Sequence, residues 1–64
     1  MYRNILAEMT RNGLTREDVA KKLKLSLPSF RKKISGEVDF KLSEIKTLIS
    51  LFGNNVSFEY LFEV

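Results

Sequence analysis

Seven of the eleven basic residues of this 64-residue chain fall in one run, TREDVAKKLKLSLPSFRKKISG, from Thr15 to Gly36. Arg16, Lys21, Lys22, Lys24, Arg31, Lys32 and Lys33 stand there against only Glu17 and Asp18. Residues 15–36 thus carry +5, residues 1–14 carry +1 and residues 37–64 carry −3. Clustered cations do not make or break bonds; they hold a polyanion. A solvated helix surface explains the charge alone equally well. Bond-making chemistry has little to work with. Histidine and cysteine are both absent, which removes imidazole acid–base catalysis, thiolates, disulfides and the usual zinc ligands. The eight acids are scattered, most of them at expected helix starts or on outer faces. Glu37-x-Asp39 reads as a polar loop rather than an ion site, and no glycine-rich phosphate loop is present. No catalytic site, metal or cofactor is expected.

The apolar residues predict how those cations are placed. Gly13, Gly36 and Gly53 divide the chain almost evenly. Ile5, Leu6 and Met9 recur at helical spacing, and Asn12-Gly13 is a stop, which predicts a helix over 2–12. Thr15 can cap a second helix, over 16–23, with Glu17 and Asp18 in its favoured acidic first turn and Asp18 at the capping-box position. Lys24-Leu25-Ser26 is a tight turn. Ser26 then caps a third helix, over 27–35, with Pro28 in the first turn, where proline is tolerated. Leu42, Ile45, Leu48, Ile49 and Phe52 mark a fourth helix, over 42–52. In the tail, VSFEYLFEV, Ser57 can cap a short helix over 58–62, while the alternation Val56, Phe58, Tyr60, Phe62 also fits a strand. The helix is the expected form. The fold class is therefore all-α, a compact bundle of five helices in a single domain.

Helices 2 and 3 joined by three residues form a helix-turn-helix. A steep crossing needs a small contact residue, and Ala20 supplies it. Val19, Leu23, Leu25 and Phe30 would lock the pair, although apolar spacing alone also suits a plain helical hairpin. The outer face of helix 3 then presents Leu27, Ser29, Arg31 and Lys32. A helix fits the DNA major groove, and a cationic rim fits its phosphates.

From residue 3 to residue 62 the chain resembles the phage repressor and Cro type of helix-turn-helix domain, lambda-repressor-like in fold. The likeness lies in LTREDVAKKLKLSLPSFRKKISG, in FKLSEIKTLISLFG and in SFEYLF. Leu-Thr precedes helix 2, alanine lies mid-helix, serine caps helix 3 and glycine follows it. KISG, F-x-LSEI and the aromatic C-terminus are closest to small prophage-encoded regulators of Gram-positive bacteria. By position the resemblance implies that Leu27, Pro28, Arg31 and Lys32 face bases. It implies that Arg16 contacts the backbone and that Lys33, Ser35 and Lys41 lie near phosphate. Lys24 stands where the family usually has glycine, and Lys33 where its commoner members are apolar, with Ile34 taking the packing role.

The function so implied is sequence-specific binding of a palindromic double-stranded DNA operator by a homodimeric, Cro-like transcriptional regulator. The chain leaves no residues for an inducer pocket, so no small-molecule ligand is expected. With no apolar run near the ~20 residues of a membrane span and no signal-like start, a soluble cytoplasmic protein is expected. A different class, an antirepressor or antitoxin-like module that docks another protein, uses the same fold. The tail carries more bulky apolar residues than a small body can bury. Phe58 and Leu61 are expected to close the core. Tyr60 and Phe62 are expected to meet their copies across a two-fold axis, in an interface made of Phe58, Tyr60, Leu61 and Phe62.

Overall fold

Five helices and no strand make up the described residues of the computed structural model, 1–53 and 55–63. They are α1 (Arg3–Arg11), α2 (Arg16–Lys22), α3 (Leu27–Ser35), α4 (Leu42–Leu51) and α5 (Phe58–Leu61). The ambiguous tail is helical: the Ser57 hydroxyl accepts the Tyr60 N–H at 3.0 Å and caps α5. Among the described residues no helix is long and apolar enough to cross a membrane.

The core is a single cluster. Ile5 and Met9 from α1, Val19 and Ala20 from α2, and Phe30 and Ile34 from α3 are buried together. Leu48, Phe52 and Leu61 complete it, with Leu23 at the end of α2. Helix α2 packs on α3, and α1 packs on α5. The bundle is compact, with a Cα radius of gyration of 10.4 Å. Ala20 is buried in the core, so a larger side chain there would overpack it.

The first three helices stop in the same way. After α1, the Gly13 N–H donates to Thr10 O and the Leu14 N–H to Met9 O. After α3, the Gly36 N–H donates to Lys33 O and the Glu37 N–H to Lys32 O. After α2, the Lys24 N–H donates to Lys21 O and the Leu25 N–H to Ala20 O. These paired bonds are Schellman motifs, each needing one left-handed residue. Glycine fills that place twice, and Lys24, at φ +60°, fills it the third time. The turn keeps its shape and places the strain in Lys24. A left-handed L-residue costs about 1–2 kcal/mol, and glycine returns part of that through its freer unfolded state. Lys24→Gly is therefore expected to stabilise the domain by about 0.5–1 kcal/mol, raising the melting midpoint by about 2–8 °C. A thermal melt beside Lys24→Ala checks it. An unchanged midpoint would mean that the Lys24 side chain itself holds the turn.

Candidate nucleic-acid interface

The candidate interface is built on α2 and α3, and both helices are fixed at both ends. At the start of α2, the Thr15 hydroxyl accepts the Asp18 N–H at 3.1 Å, and the Asp18 carboxylate accepts the Thr15 N–H at 2.9 Å. The Thr15 N–H, and then its hydroxyl, hold the Asp18 carboxyl below its ordinary pKa. At the start of α3, the Ser26 hydroxyl accepts the Ser29 N–H at 3.3 Å and donates to the Ser29 hydroxyl at 2.9 Å. Inside, Phe30 is fully buried and Ile34 nearly so. Half-buried Leu25, from the turn, and Leu27 pack against the core.

The outer residues of α3 then follow from helical phase. Pro28, Ser29, Arg31, Lys32 and Ser35 are exposed, and Leu27 is half-buried. Arg16, Lys21, Lys22 and Lys24 are exposed on α2 and its flanks, and Lys41 is exposed just before α4. Two of these side chains have less to offer than their positions suggest. Leu27 divides its surface between the core and the outside. The Ser35 hydroxyl donates to Lys32 O at 2.9 Å, so its proton is already used within α3.

Lys33 must be corrected outright. It is not on the outer surface near a phosphate; it is 6% exposed. Its Nζ donates to Glu44 Oε1 at 2.6 Å, and Glu44 is equally buried. The same carboxylate oxygen accepts the Lys41 N–H at 2.8 Å. One buried carboxylate therefore ties α3 to the start of α4. Burial alone would raise its pKa, but the hydrogen bonds from Lys33 and Lys41 outweigh that and hold it below the ordinary value. Lys33 thus positions the basic helix instead of contacting a partner. Its phase was the available signal: Phe30, Lys33 and Ile34 stand at i, i+3 and i+4, on one face.

Two acids are buried, one of them, Glu44, at a helix start as its position implies. Besides Glu44, Glu8 is buried, between Ile5 and Met9 of the core face. It accepts the Tyr60 hydroxyl at 3.0 Å and lies 3.5 Å from Arg11. The Glu8 hydrogen bond raises the Tyr60 pKa, with burial adding to it. Glu37 and Asp39 are exposed in the α3–α4 loop.

The expected dimer surface is altered as well. Leu61 closes the core, as its spacing suggests, and being fully buried it is unavailable to a second chain. Phe58 does not join it in the core but is 49% exposed, stacked on Phe62 at 4.9 Å. Phe62 meets Tyr2 and Phe40 edge-on, at 5.0 and 5.5 Å. Tyr60 and Phe62 are half-buried, Tyr60 being held by Glu8. Phe58 joins Met1, Val38 and Leu42 as the exposed large apolar side chains among the described residues.

Chemically, the α2–α3 surface offers guanidinium and ammonium groups, one serine hydroxyl and an exposed proline on a rigid helix. Such a surface suits hydrogen bonding and charge pairing with an anionic polymer. No protein-family model, no curated protein and no solved structure matches the chain.

Proposed function

We propose that the chain is a sequence-specific double-stranded DNA-binding regulator of the phage repressor and Cro type, cytoplasmic, acting as a Cro-like switch protein. In this reading α2 and α3 form a helix-turn-helix, and α3 enters the major groove. One observation carries it: α3 is capped at both ends and anchored by Phe30, Lys33 and Ile34, while Pro28, Ser29, Arg31 and Lys32 point outward. Arg16 and Lys41 supply flanking charge for the backbone. Two copies, paired through the Phe58–Phe62 edge, would set their helices in successive major grooves about 34 Å apart. Bodies of 27 × 22 × 20 Å side by side suit that spacing. Phe58, half exposed on its stack with Phe62, also favours a second reading, a module that docks another protein through this apolar edge.

Selection from a pool of random duplexes, followed by titration at several salt concentrations, tests the proposal. A single enriched, two-fold symmetric sequence is expected, bound by two chains, with affinity falling steeply as salt rises. Lys32→Ala should lose about 1–3 kcal/mol of discrimination if the ammonium reaches a base edge. Arg16→Ala should weaken all sequences alike. No enrichment, or an affinity indifferent to salt, leaves the protein-docking reading in its place.

A further inference from the structure

We infer that Arg16 and Arg31 form one clasp for a single phosphate group, so that Arg31 senses backbone charge and Lys32 is left to read bases. The phosphate is a nucleic-acid phosphodiester, and in that respect the inference rests on the function proposed above. Position within the family type groups Arg31 with Lys32 at the bases; the fold groups it with Arg16. Both arginines line one pocket of about 120 Å³, together with Met1, Phe30, Ile34 and Ser35. Arg31 and Ser35 are one turn apart on α3, so the row they share faces the start of α2. Lys32 lies about 100° further round the helix and is not part of the pocket. At ~30 Å³ per water, the space suits one tetrahedral oxyanion.

The electrostatics point the same way. Among the described residues neither guanidinium has a carboxylate within 4.0 Å. Asp18, two residues from Arg16, has its carboxylate engaged by the Thr15 N–H. Two like charges therefore border a gap whose floor is Phe30 and Ile34, with no internal anion to relieve them. Ser35 cannot supply the missing donor, because its proton is on Lys32 O. An oxyanion seated between the arginines would accept from both, and the planar guanidinium fork matches two phosphate oxygens at once.

Duplex titrations of wild type, Arg16→Gln, Arg31→Gln and the double variant, on selected and random sequences, test the clasp. Both substitutions are at exposed positions, and circular dichroism checks that the variants fold. Arg31→Gln should weaken both duplexes by the same factor. The double variant should lower the slope of log affinity against log salt by about one unit in all, the loss of one phosphate contact. A fall of about two units would mean two separate contacts and would overturn the single clasp. So would an Arg31→Gln effect confined to the selected sequence. A second arm titrates inorganic phosphate into the free protein and follows the arginine Nε–H signals by NMR. Arg16 and Arg31 should shift together along one binding curve, with Arg3 and Arg11 unmoved; equal shifts in all four, or none, overturn the clasp. Saturable phosphate binding at Arg16 and Arg31 without any duplex binding would support the clasp while sinking the DNA reading.

Discussion

Glu44→Ala is expected to remove about 3–5 kcal/mol of stability, because it leaves the buried Lys33 ammonium without its partner. A domain of 64 residues has about 3–10 kcal/mol in total, at roughly 0.05–0.15 kcal/mol per residue. The loss is therefore a large share of the total, and toward the lower end of that range it leaves the variant largely unfolded at 25 °C. Lys33 Nζ lies 2.6 Å from the carboxylate, and both side chains are less than a tenth exposed. Replacing both partners, as Lys33→Met with Glu44→Leu, removes the desolvation cost along with the attraction and should fall within a few kcal/mol of wild type, on either side. Urea unfolding at neutral pH separates these outcomes; a Glu44→Ala loss below about 1 kcal/mol would show that the pair is solvated. The pH dependence has a fixed sign. The folded Glu44 pKa is lowered, so its contribution is complete above the unfolded glutamate value, about 4.3, and is lost as pH falls through the folded one.

What the sequence disclosed, and what it hid, follows from the kind of signal each residue carries. Capping is local. Thr15, Ser26 and Ser57 act within three residues of themselves, and all three caps are present as their spacing implies. The turn is local too, which is why the bounds of α3 agree residue for residue with the expected 27–35. Buried charge is another matter. Glu8 follows Ile5 by three and precedes Met9 by one; Lys33 stands in the same relation to Phe30 and Ile34. Each sits on the core face by phase, yet residue type argues for solvent. Only the partner decides: Tyr60 reaches Glu8 from 52 residues away, and Glu44 reaches Lys33 from 11. Phe58 and Phe62 fail for a related reason. Both are large and apolar, so composition cannot say which is inside; the rings of Tyr2 and Phe40 settle it by taking Phe62 and leaving Phe58 on the outer side of the stack. For the candidate interface, exposure of Arg16, Arg31 and Lys32 was legible from helical phase. The shared pocket of Arg16 and Arg31 was not, because it depends on how α2 meets α3.

Phe30→Ala is the second large effect, expected to cost about 3–5 kcal/mol. Phe30 is the bulkiest fully buried side chain, and its ring meets Phe40 edge-on at 6.5 Å. The cavity it leaves lies among side chains that are themselves fixed. Ile34 is one turn on in α3, and Val19 and Ala20 of α2 and Leu48 of α4 are buried in the same cluster. Collapse of that space would need α3 to move inward, but the Lys33–Glu44 tie to the start of α4 opposes it. The loss should therefore stand near the top of its range, and Phe30→Leu, which refills most of the volume, should cost markedly less. Any affinity for DNA should follow the folded fraction, since Phe30 is fully buried and only floors the Arg16–Arg31 pocket beneath its charged groups. Stabilising Phe30→Ala with Lys24→Gly should then recover folding, and with it binding, less the modest salt-dependent share lost with the exposed Lys24 charge. Urea unfolding and duplex titration on the same samples test this. If the single variant stays fully folded yet binds poorly, Phe30 sets the aim of α3 as well as its stability, and anchoring and recognition are not separable in this helix.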